Sequence, residues 1–123
     1  MKLEQLLQLV IEKNASDLHL IPGYFPTIRV GVEIYSLTTL SVISPDLNQE
    51  MVFSILTDEQ KENLQTNWEI DFAYSYYNNR FRINAYFAQG VICASFRLII
   101  AKIRTLEELL IPAFIREVVD YRQ

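Results

Sequence analysis

Arg80-Phe-Arg-Ile-Asn-Ala-Tyr-Phe-Ala-Gln-Gly-Val-Ile-Cys-Ala-Ser-Phe-Arg-Leu98 reads as two β-strands joined by a tight turn. In the first strand Phe81, Ile83, Ala85 and Phe87 alternate with Arg80, Arg82, Asn84 and Tyr86. In the second, Ile92, Ala94, Phe96 and Leu98 alternate with Cys93, Ser95 and Arg97. A period of two places each set on its own side of a sheet, so one face is apolar and the other polar. Gln89-Gly90 supplies the turn, and a two-residue loop makes opposing residue numbers add to 179. Arg82 then lies across from Arg97, and Asn84 across from Ser95. Like charges placed opposite one another cost stability. Two readings follow: either both arginines are solvated or paired with Asp71 or Glu69, or an anion such as phosphate sits between them and accepts hydrogen bonds from both guanidinium groups.

The surrounding charge pattern bears on that choice. The chain of 123 residues has a net charge of −4, yet no Asp or Glu occurs from Phe72 to Leu106. Arg80, Arg82, Arg97, Lys102 and Arg104 fall inside that stretch, while the rest of the chain carries six basic residues against fifteen acidic ones. A local positive field on an acidic domain favours an anionic partner. The overall acidity argues against a nucleic-acid binder.

Outward from the two strands, Glu69–Tyr76 reads as a third, with a turn at Asn78-Asn79. Upstream, Leu3, Leu6, Leu7, Val10 and Ile11 recur at helical spacing, and Asn14 closes that helix. Asp17-Leu-His-Leu-Ile alternates as a strand with Leu18 and Leu20 inward. Thr27–Val30 and Glu33–Leu37 form a hairpin across Gly31-Val32. Ser44-Pro45 starts a helix running to about Leu56, and Thr57 with Gln60 forms a capping box for another to about Asn67. Thr105-Leu-Glu-Glu108 is a further capping box, with an interruption near Pro112. The order of helix, three strands, two helices, three strands and helix predicts an α+β domain with a mainly antiparallel sheet and flanking helices, an arrangement compatible with a PAS-like domain.

Several chemistries are excluded or weak. The glycines are Gly23, Gly31 and Gly90, and none precedes a lysine, so this sequence holds no phosphate-binding loop and no catalytic residue for nucleotide hydrolysis. A single cysteine, Cys93, precludes an internal disulfide and fits a reducing compartment, most simply the cytoplasm. One histidine, His19, beside Asp17 is too little for a metal site and reads as a structural or interfacial hydrogen bonder. The first helix carries Glu4, Glu12 and Lys13, unlike a signal peptide.

The string Asn14-Ala15-Ser16-Asp17-Leu18-His19-Leu20 resembles the A-S-D-L-H signature of the secretion and pilus motor ATPases. Pro26-Thr-Ile-Arg-Val30, Ile55–Gln60, Glu69-Ile-Asp-Phe72, Arg80–Ala85, Phe96-Arg97 and Thr105–Leu109 follow in the family's order, so the resemblance covers essentially the whole chain. It is nearest to the twitching-motility, type IV pilus retraction branch. The resemblance implies a PAS-like N-terminal domain over 1–100, then a linker and the start of a RecA-like ATPase domain over 101–123, with the phosphate loop beyond Gln123. It implies a homohexamer in which this domain packs on the ATPase domains of its own and the neighbouring subunit. Arg82 and Arg97, with Arg80, match positions that reach nucleotide phosphates in that assembly. ATP and magnesium would belong to the full-length parent and not to this segment. A pilus inner-membrane platform protein would be a partner, at the cytoplasmic side of the inner membrane. An independent PAS-like small-ligand sensor, or the N-terminal domain of a related assembly or type II secretion ATPase, is the alternative. Gly31-Val32-Glu33 replaces the family's usual Asp-Gly, and Ile100 replaces a common proline.

Overall fold

The computed structural model describes residues 1–99. Its elements run α1 (Leu3–Glu12), β1 (Asp17–Leu20), β2 (Thr27–Val30), β3 (Glu33–Ser36), α2 (Pro45–Phe53), α3 (Asp58–Asn67), β4 (Glu69–Tyr76), β5 (Asn79–Ala88) and β6 (Val91–Ile99). The expected α+β class holds. The sheet has six strands in the order β3-β2-β1-β6-β5-β4, and every neighbouring pair is antiparallel. The expected boundary near residue 100 and the capping box at Thr105 lie outside the described residues.

Local chemistry accounts for the element ends. The Ser44 hydroxyl accepts from the Leu47 N–H, and Pro45 opens α2. Thr57 and Gln60 exchange the two hydrogen bonds of a capping box at α3. Gly31 (φ 62°) permits the two-residue turn between Val30 and Glu33. The expectation for α2 was too long: after Phe53 the chain tightens into i→i+3 bonds (Ile55 N–H to Val52, Leu56 N–H to Phe53) because Thr57 must be extended to cap α3.

The turn before β5 also differs. It uses Tyr77-Asn78, with Tyr77 at φ 53° and its ring edge-on to Tyr76, and Asn79 already pairs with Tyr76. A turn at Asn78-Asn79 would set Ser75 across from Arg82. The observed turn slides β4 by two residues and sets Ala73 there, with Asp71 one pleat further along the same face. Side-chain faces are unchanged, because a shift of two preserves the alternation.

The three described helices share their apolar sides with one face of the sheet. Leu6, Leu7 and Val10 of α1, Met51 and Val52 of α2, and Leu64 of α3 join Leu18, Leu20, Ile28, Phe81, Ile83, Ala85, Ile92, Ala94 and Phe96 in a single buried cluster. Asn48 fastens α2 to the two central strands: fully buried, its amide donates to the Leu20 carbonyl at 3.2 Å and the Ile92 carbonyl at 2.6 Å. No helix among the described residues is long and apolar enough to cross a membrane.

Candidate functional site: the polar face of the sheet

The opposite face carries the polar sets of every strand. Register lines them up in rows across the sheet. One row runs Arg29, Asp17, Arg97, Arg82 and Ala73; the next runs Thr27, His19, Ser95, Asn84 and Asp71. Arg82 and Arg97 are directly opposed, and so are Asn84 and Ser95, as the turn at Gln89-Gly90 requires. Gln89 and Gly90 both have positive φ, 53° and 81°, the backbone of a turn whose twist suits a hairpin.

Each arginine of the pair holds a different carboxylate. Arg82 Nε and Nη2 donate to the two oxygens of Asp71 at 3.1 and 3.2 Å. Arg97 Nε donates to Asp17 Oδ1 at 3.1 Å. Of the carboxylate partners expected for the arginines, Asp71 serves Arg82, whereas Glu69 accepts from the Asn84 amide at 2.9 Å. Asp17 was not expected as a partner. It is only 8% exposed, and its Oδ2 accepts from the Ser16 hydroxyl at 2.7 Å. Burial alone would raise its pKa, but the bonds from Ser16 and Arg97 outweigh that and hold it below the usual carboxylate value. The guanidinium groups stay largely in water, with Arg97 72% and Arg82 67% exposed.

These side chains, with His19, Asn84 and Ser95, line a depression of about 240 Å³. His19 also borders a second, larger hollow of about 700 Å³, formed by Ile21, Tyr24, Phe25, Ile34 and Val42. Ile34 and Tyr24 are two-thirds exposed there. Arg80 sits one row away, between Ser75 and Ile99, and does not border the depression. Arg29 stands in the same row as the arginine pair but does not line the depression. The β1–β2 register brings it beside Asp17, but its Nε donates to the Gly31 carbonyl.

The signature string has a physical division of labour. Asn14 takes a left-handed backbone (φ 54°) that turns the chain from α1 into β1. Ala15 and Leu18 are core residues. Ser16 and Asp17 form the anchored carboxylate, and His19 faces the open side between Thr27 and Ser95. Among the described residues no group of three potential metal ligands occurs. Cys93 lies on this face too but is buried, paired with Tyr86. Burial raises its thiol pKa, and the hydrogen bond with Tyr86 only partly offsets that.

No protein-family model matches the chain. Curated relatives do. The type IV pilus ATPase PilU of Pseudomonas aeruginosa is 31% identical over 118 residues, covering 95% of this chain and 31% of that protein. The type IV pilus retraction ATPase PilT of the same organism is 32% identical over 110 residues, covering 89% of this chain and 32% of PilT. The chain therefore spans about a third of the length of these relatives. Among solved structures, the pilus retraction motor PilT with bound ADP superposes with a TM-score of 0.80 at 26% identity, covering 98% of this chain and 35% of that one. By sequence over nearly its whole length and by the fold of its six-stranded sheet, the chain is similar to the N-terminal domain of the PilT-like pilus ATPases.

Proposed function

We propose that the chain is the regulatory, subunit-interface domain of an ATP-driven pilus motor, and that it presents Arg82 and Arg97 in trans to the phosphates of a nucleotide held by a neighbouring subunit. The observation that carries this reading is the opposed, solvent-facing arginine pair on the face that none of the described helices covers. Guanidinium groups in that position can meet the charge of a γ-phosphate and of the transition state, as an arginine finger does. They supply no nucleophile, base or magnesium ligand, so ATP and magnesium belong to the ATPase domain that residues 101–123 would lead into. The apolar hollow that shares His19 with the arginine depression supports an interface, because exposed apolar surface near charge is what a partner subunit would cover. Assembly as a homohexamer, action in the cytoplasm against an inner-membrane platform protein, and Arg80 as a further phosphate contact are parts of the same proposal.

A PAS-like small-ligand sensor needs an enclosed space between helices and sheet. That space is filled here by fully buried Leu6, Leu7, Leu64, Phe81 and Phe96. The deciding experiment uses the full-length protein: Arg82→Ala and Arg97→Ala are expected to lower ATP turnover far more than ATP binding. Near-wild-type turnover in both variants refutes the assignment.

A further inference from the structure

The two ion pairs of the arginine site differ in kind. Asp17 is buried and anchored by Ser16, so Arg97 is tied to a fixed point of the domain. Asp71 and Arg82 are both open to water, with 47% and 67% of their side chains exposed. Such a pair is screened and readily exchanged. Its geometry is also particular: two carboxylate oxygens meet the Nε and Nη2 edge of the guanidinium. That edge and that two-oxygen fork are how an arginine takes a phosphate. A phosphate and Asp71 cannot occupy the edge together.

We infer that Asp71 is a built-in competitor for the phosphate position: its carboxylate fills the Arg82 fork until a phosphate displaces it, while Arg97 stays in place on Asp17. The inference rests on the phosphate-contact reading above. A terminal phosphate carries more charge than one carboxylate and offers a third oxygen to Arg97, so it displaces Asp71 where a monoanion does not. The displaced carboxylate remains on the same face, opposite Asn84. Glu69 is the natural control, since it carries the same charge two residues away but is bonded to Asn84 and not to an arginine.

The test is a titration of the 123-residue chain with tripolyphosphate, read from the arginine Nε–Hε signals by NMR. In the wild type the Arg82 signal should move more than that of Arg97, since Arg82 changes its partner. Asp71→Asn, and independently Asp71→Ser, should tighten binding about 3- to 10-fold, the effect of removing one like charge roughly 5 Å from the ligand in a solvated setting. Glu69→Gln should change it by less than about 2-fold, because its charge is further off and screened. Equal affinity in the wild type and both Asp71 variants overturns the competitor and leaves the phosphate site standing. An effect of Glu69→Gln as large as that of Asp71→Asn also overturns it, in favour of general charge. No movement of either arginine signal in any variant removes the phosphate site and the competitor together.

Discussion

Arg82 and Arg97 face each other across β5 and β6, yet their guanidinium groups are held from opposite flanks, by Asp71 of β4 and by Asp17 of β1. This is how the sheet tolerates two like charges in register. Each is neutralised from outside the pair, and the space between them stays available. The carboxylates come from strands on either side of the hairpin that carries the arginines.

Acid should reveal the Asp17 contact. Its carboxyl is held low in the folded state by Ser16 and Arg97, against the effect of burial. A lowered folded-state pKa stabilises above the ordinary carboxylate value of about 3.9, and the contribution is lost as pH falls through the folded-state value. Asp17→Asn should therefore cost about 1 kcal/mol near pH 7 and make stability less sensitive to pH below about 4. Urea melts across pH 2.5–7 measure both, and identical pH profiles for the two proteins contradict the contact.

Asn48 offers a sharper stability test. Asn48→Ala leaves the Leu20 and Ile92 carbonyls without their side-chain donor in a buried setting, and should cost about 2–3 kcal/mol. Asn63→Ala on the exposed side of α3 should stay within about 0.5 kcal/mol. Denaturant midpoints of the two variants give the comparison.

The hairpin beneath the arginine pair can be tightened. Gln89 occupies a left-handed backbone that Asn adopts more easily. Gln89→Asn should stabilise by about 0.5 kcal/mol, and Gly90→Ala should destabilise by about 1 kcal/mol or more. Thermal denaturation separates these, and the opposite order would mean that the turn is not of this kind.

Cys93 should be a slow thiol. It is buried with a raised pKa, so alkylation by iodoacetamide at pH 8 should run at least about tenfold slower than in the unfolded chain. Tyr86→Ala, which removes the residue paired with it across the sheet, should speed the reaction.

Much of this was legible in the sequence because it depends on local chemistry. The Gln89-Gly90 turn sets the register of Arg82 against Arg97, and the alternation sets which side each faces. The helix starts at Ser44 and Thr57 follow from their hydroxyls. What escaped depended on longer range or on finer choices. Asp17 reaches Arg97 only because β1 lies beside β6, a pairing eighty residues apart in the chain that no local signal encodes. The Tyr77-Asn78 turn defeated a reading based on the Asn-Asn pair, because the edge-on contact of Tyr77 with Tyr76 accompanies a left-handed aromatic residue there. That one-residue difference decides whether Asp71 lies near Arg82, so a small error in a turn becomes a large one in the site.

The strand order has a kinetic meaning. β1, β2 and β3 are neighbours in sequence and in space, and so are β4, β5 and β6. Each trio can close through contacts of short range, whereas joining them requires the single β1–β6 ladder, whose loop entropy is paid late. The arginine hairpin belongs to one trio, and the carboxylate that fixes Arg97 belongs to the other. Arg97 therefore acquires its anchor only when the two halves of the sheet are sewn together, so a half-folded domain would display the charges without the geometry.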